Sequence, residues 1–148
     1  MNKEYLNVIL VDSNEGNRFF FKKIFKDLKI GIKILTFENG EELMNYLNCQ
    51  QVLIPEILFM EKDIPKKSSL DCLEEIKSVI RFDQMVITIY SKYLSADEEE
   101  NIFVKGANII MEKPDNYVDL KKVLSEIITI NWQYHTSGLN KNNFIMKV

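Results

Sequence analysis

The chain has 148 residues, 46% of them hydrophobic and 28% charged, with 22 acidic against 19 basic side chains and a formal charge of -3. That length suits one domain with a proper core, the acidic balance gives no basic field for nucleic acid, and no stretch reads as a signal peptide or membrane span. Cys49 and Cys72 have no C-x-x-C spacing, so they are expected as reduced thiols of a cytoplasmic protein.

Strand and helix patterns alternate along the chain. Tyr5–Val11 reads as a strand, and its run Val8-Ile9-Leu10-Val11 is continuously apolar, as in strands buried on both faces. Ser13 or Asn14 caps a helix over Glu15–Leu28, with Phe20, Phe21, Ile24, Phe25 and Leu28 at helical spacing. Ile32–Phe37 is a second strand, Asn39-Gly40 a turn, and Glu41–Leu47 a short helix. Glu56–Met60 is the third strand, followed by a helix over Leu70–Ile80. Met85–Tyr90 is the fourth strand, and the capping-box pattern Ser95-Ala96-Asp97-Glu98 starts a helix that Gly106 ends. Asn108–Met111 is the fifth strand, and Asn116 caps a last helix over Tyr117–Ile130. Alternation of this kind predicts a (βα)5 α/β domain, a doubly wound parallel five-stranded sheet over residues 1–130. Residues 131–148 form a C-terminal extension in which Trp132, Tyr134, Phe144 and Ile145 are expected to fold back on the domain.

Three of the apolar runs end in charge. Val8–Val11 ends in Asp12, Ile57–Met60 in Glu61, and Ile109–Met111 in Glu112-Lys113-Pro114. In an open parallel sheet, ligands gather at the carboxyl ends of the strands. If the three strands are neighbours, Asp12, Glu61 and Lys113 meet in one acidic pocket with a single cation. Other features have plainer readings. His135 is the only histidine and no His/Cys cluster supports zinc. The acidic run Asp97–Glu100 suits a helix N-terminus. Phe19, Phe20 and Phe21 cannot all face inward, so Phe19 is expected at a contact surface.

With these pieces in order, the chain resembles a receiver domain of bacterial two-component response regulators, of the single-domain kind typified by the chemotaxis receiver. The resemblance is carried by Val8–Ser13, Pro55–Pro65, Val86–Ser91 and Lys105-Gly106-Ala107-Asn108 leading to Lys113-Pro114. It implies a flavodoxin-like sheet of strand order 2-1-3-4-5. It also implies a pocket in which two acids end the first strand and bind Mg²⁺, and an aspartate ending the third strand accepts a phosphoryl group. A Ser or Thr ends the fourth strand, and a Lys before a Pro ends the fifth. Asp12, Ser91, Lys113 and Pro114 match that pattern, and a cis peptide is expected between Lys113 and Pro114. Ser13 stands where the second acid belongs, Glu61 where the phosphoacceptor belongs, and Asp63 where a backbone carbonyl would meet the metal. Ile110 stands where many members carry a switching aromatic.

The departures have physical consequences. Phosphoryl transfer to a carboxylate is mainly positioning and charge neutralisation. Ser13 removes a charged ligand, and the extra methylene of Glu61 displaces its carboxylate by about 1.5 Å, an error that costs on the order of a hundredfold in rate. Mg²⁺, if held, is expected to be held weakly by Asp12, Glu61 and Asp63. Glu61 is expected instead to pair permanently with Lys113, an interaction of roughly 4 kcal/mol at 4 Å before desolvation, while Ser91 remains able to hydrogen-bond Glu61. Without a switching aromatic, the output face is expected to be fixed. The reading that follows is a degenerate receiver, not an enzyme, that binds a protein: a histidine kinase, a regulator, or a second copy as a homodimer. The alternative is a working Mg²⁺-dependent phosphoacceptor that uses Glu61 or Asp63 in a modified site. A flavodoxin-like cofactor binder is disfavoured because the loop Ser13-Asn14-Glu15-Gly16-Asn17 carries an acid where a phosphate would sit.

Overall fold

The computed structural model describes residues 5–137 and 145–148. The continuous apolar run of the first strand, β1 (Tyr5–Val11), is buried from Leu6 onward, as a central strand covered on both faces must be. Around it follow α1 (Glu15–Asp27), β2 (Gly31–Phe37), α2 (Gly40–Leu47), β3 (Ile57–Glu61), α3 (Ser69–Lys77), β4 (Val86–Ser91), α4 (Ala96–Val104), β5 (Ile109–Glu112), α5 (Tyr117–Ser137) and β6 (Met146–Lys147). All pair in parallel in the order β2-β1-β3-β4-β5-β6.

Alternating residues feed two cores. Leu6, Val8, Leu10, Phe59 and Tyr90 face α1 and α5, where Phe21, Phe25, Leu124 and Ile127 close over them. Ile9, Val11, Met60, Ile89 and Ile110 face α2, α3 and α4, packing on Leu43, Leu73 and Ile102. The caps are those expected from the sequence. Asn14 accepts from Asn17 N, Ser95 and Glu98 form a reciprocal capping box, Asn116 accepts from Asp119 N, and Gly106 takes the positive φ that stops α4.

The structure corrects the sequence reading in four places. The sheet has six strands, not five: the end of the chain returns beside β5, pairing Ile109 with Met146 and Ile110 with Lys147. The last helix continues through residue 130 to Ser137, so Trp132, Tyr134 and His135 lie on α5 rather than in a tail. Trp132 and Tyr134 pack on the core, with Met146 and Val148 from the returning segment beside them; Phe144 falls outside the described residues. The third helix stops at Lys77, and Ile80–Phe82 forms a separate 3-10 turn. Finally, the Lys113–Pro114 peptide is trans, as is every described peptide bond. Of the phenylalanine triplet, Phe21 is buried while Phe19 and Phe20 are both exposed. Cys49 and Cys72 are both free.

Gly40 opens α2 against the loop that follows β3. A Cβ there would collide with the Lys67 carbonyl and sit 2.8 Å from Cys72 Sγ. Gly40→Ala should therefore lose about 1–3 kcal/mol of stability to overpacking, read as a lower urea midpoint with an unchanged slope.

Candidate functional site

Strand register builds the site. Val11 pairs with Met60, and Met60 with Ile89. One step further along, Glu61 pairs with Tyr90, and Asp12 N donates to Phe37 O at 3.1 Å as β1 ends. Asp12, Glu61 and Tyr90 thus stand on one row at the carboxyl ends of β1, β3 and β4. A cavity of about 320 Å³ opens there, lined by Asp12, Ser13, Asn17, Glu61, Asp63, Tyr90, Ser91, Lys92 and Lys113. The predicted residues Asp12, Ser13, Glu61, Asp63, Ser91 and Lys113 therefore share one cavity. Pro114 lines the adjoining groove, with Phe20 and Tyr117.

Asp12 is 2% exposed and heavily bonded. Its Oδ1 accepts from Asn14 N at 2.8 Å. Its Oδ2 accepts from Tyr90 Oη at 2.6 Å and from Asn17 Nδ2 at 3.1 Å. Arg18 Nη1 donates to the Asp12 carbonyl at 2.7 Å and bridges onward to Glu38. Hydrogen bonds to a charged group contribute on the order of 1.5–3 kcal/mol each, so Asp12 is anchored in place by its own chain. Tyr90 is fully buried, its ring 5.2 Å from that of Phe21. Burial first, then the neighbouring Asp12 charge, hold its phenol well above the ordinary value, so the phenol keeps its proton and donates it.

Glu61 does not reach Lys113. Its Oε2 turns back to accept from Asp63 N at 2.5 Å. No ion pair or hydrogen bond joins Glu61 to Lys113 or to Ser91 among the described residues. The expected pair is thus replaced by a local turn: a backbone N–H two residues away takes the carboxylate without ordering a long lysine chain. Ser91 contributes its carbonyl, which accepts from Lys113 N at 2.7 Å. Burial is the main cause that raises the Glu61 carboxyl above its ordinary value; the Asp63 N–H opposes it, and the charges of Asp63 and Asp12 add to it. Lys62, beside it, pairs outward with Glu98 on α4.

The residues present do not fit Mg²⁺. That ion demands near-octahedral oxygens at about 2.0–2.1 Å. A carboxylate has about four acceptor positions, and three at Asp12 are taken. Ser13 brings no charge, Glu61 is tied to Asp63 N, and the Asp63 side chain is 73% exposed. No group of three or more His, Cys, Asp or Glu side chains able to hold a metal occurs among the described residues, Asp12, Glu61 and Asp63 included.

Tyr90, Asn17 and Arg18 were missed by the sequence reading. Tyr90 carried a signal, because a tyrosine inside an otherwise apolar strand needs a partner for its hydroxyl. Its partner, 78 residues away, becomes visible only once β1 and β4 flank β3.

A family model described as "Response regulator receiver domain" matches residues 8–125. A probable methanogenesis regulatory protein, FilR2 of Methanothrix harundinacea (strain 6Ac), is 21% identical over 123 residues, covering 81% of this chain and 79% of its own. The phosphorylated cyanobacterial phytochrome response regulator RcpA superposes with a TM-score of 0.80 at 19% identity, over 86% of this chain and 94% of that one. The chemotaxis response regulator CheY4 of Vibrio cholerae gives 0.71 at 17% identity, over 83% and 98%.

The raised Glu61 carboxyl has a pH consequence. A carboxyl whose folded value lies above its unfolded one costs stability once ionised, so that cost appears as pH rises from the unfolded value, 4.5, through the folded one. Glu61→Gln should melt slightly higher than the natural chain at pH 7, and the gap should close by pH 4 in paired thermal melts.

Proposed function

The chain belongs to the response regulator receiver family, and from that premise we propose that it is a receiver whose phosphoacceptor pocket has been given over to holding structure, leaving protein binding as its activity. One observation carries this reading: the acid ending β3 is a glutamate whose Oε2 is committed to Asp63 N. The longer side chain, the missing second acid at Ser13 and the hydrogen-bonded Asp12 all oppose the charge neutralisation that acyl phosphate chemistry needs. Ile110 is fully buried in the core behind β5, so the polar ring that would report a change in the pocket is missing, which supports an output surface of fixed shape.

The partner is a histidine kinase, a regulator or a second copy of this chain in the cytoplasm. Support for a docking surface comes from α1 and the start of α5, where Phe19 and Phe20 are 61% and 44% exposed and Phe20 packs edge-on to Tyr117. Isolated exposed apolar residues are ordinary, but adjacent aromatic rings beside a groove mark contact surfaces. Lys92 and Lys113 line that groove as well, and neither enters an ion pair among the described residues.

The competing reading, a modified phosphoacceptor, requires Glu61 or Asp63 to attack a donor. The Asp63 side chain is 73% exposed, which weighs against the positioning that such an attack needs. Incubation with a small acyl phosphate and Mg²⁺ decides between them by intact-mass spectrometry. The natural chain should gain no phosphoryl group while a competent receiver treated alongside does, and beryllofluoride should leave its amide spectrum unchanged. A stoichiometric adduct on Glu61 or Asp63 would overturn the proposal.

A further inference from the structure

We propose that Tyr90 is a positioning residue that closes the pocket to divalent cations, its buried phenol and the Asn17 carboxamide together occupying the Asp12 oxygen that a cation would need. This goes beyond the missing acid at Ser13 and the longer side chain at Glu61. Ser13 and Glu61 explain why a metal would be held weakly; Tyr90 and Asn17 are a separate obstacle, standing on β4 and α1.

Three observations carry the inference. The first is position. Tyr90 Oη approaches Asp12 Oδ2 at 2.6 Å, and Asn17 Nδ2 shares the same oxygen at 3.1 Å. An oxygen with two donors at these distances offers a cation little lone-pair density unless one donor leaves. The second is rigidity. Tyr90 is fully buried, wedged against Phe21 at 5.2 Å and fixed by backbone pairing to β3 and β5. With the ring fully enclosed, displacement of the hydroxyl requires repacking of the core between the sheet and α1. The third is chemistry. A phenol donates one proton to an anion and so supplies part of the stabilisation that a cation would, without adding charge. The acidic row of Asp12 and Glu61 is thereby better tolerated in a half-buried pocket. A tyrosine whose hydroxyl merely found the nearest acceptor would share the geometry but would have no effect on metal affinity once the ligands were restored.

That difference can be measured. The Ser13→Asp/Glu61→Asp chain restores the second acid after β1 and the shorter carboxylate after β3. It is compared with the same chain also carrying Tyr90→Phe, and with one carrying Asn17→Ala. The probes are Mg²⁺ alone by calorimetry and Mn²⁺ alone by paramagnetic broadening of the amides of residues 12–14. Removing the Tyr90 hydroxyl should tighten Mg²⁺ binding by about tenfold, the scale of the one hydrogen bond to Asp12 that the cation no longer has to displace. Asn17→Ala, on a half-exposed side chain, should move affinity in the same direction by less, and it keeps the question answerable if the core variant unfolds. Broadening should centre on residues 12–14. Equal affinities across the three chains, including no binding by any, would overturn the proposal while leaving the phosphorylation result of the natural chain standing. An adduct on the natural chain would sink the docking-only reading without touching the affinity comparison.

Discussion

The buried hydrogen bond from Tyr90 to Asp12 ties the end of β4 to the end of β1 across β3. Everything at the carboxyl edge of the sheet is arranged around it. Asp12 is left with one acceptor position, α1 is drawn in through Asn17 and Arg18, and the aromatic core of Phe21, Phe25 and Phe59 packs beneath the phenol. A carboxylate buried to this degree needs partners, because leaving it unpaired costs far more than any one bond returns. Here the partners are a phenol, a carboxamide and a backbone N–H.

Glu61 obeys the same logic on a shorter scale. The turn after β3 offers its carboxylate a backbone N–H without the entropy of fixing a lysine. Local satisfaction wins, and Lys92 and Lys113 remain as positive charge on the rim of the cavity and the adjoining groove. The protein as a whole is acidic, so this rim and the neighbouring Phe19, Phe20 and Tyr117 give the α1–α5 side a local character that the net charge conceals.

The opposite edge of the sheet also departs from a five-stranded plan. β6 covers the outer edge of β5 through Met146 N to Asn108 O at 2.7 Å and Val148 N to Ile110 O at 3.0 Å, and Lys147 pairs with Glu99 on α4. An uncovered β5 edge would present unpaired backbone groups to any neighbouring strand. The returning segment is only two strand residues long, but it satisfies those groups and adds Met146 and Val148 to the core beside Trp132.

Periodicity and punctuation in the sequence determined the alternation of five strands and five helices, the caps at Asn14, Ser95 and Asn116, and the placing of Asp12, Glu61 and Lys113 at strand ends, because these depend on local spacing, propensity and the chemistry of a few side chains. The family resemblance added the strand order 2-1-3-4-5 that the sheet follows up to β5. Tertiary structure alone decided the rest. A two-residue edge strand has too little pattern to be read before the edge that captures it exists, and α5 extends to Ser137 where Trp132 finds a core to lie on. Whether Glu61 turns to Lys113 or to Asp63 N, and which acid accepts the Tyr90 hydrogen bond, depends on distances across three strands that no linear spacing encodes.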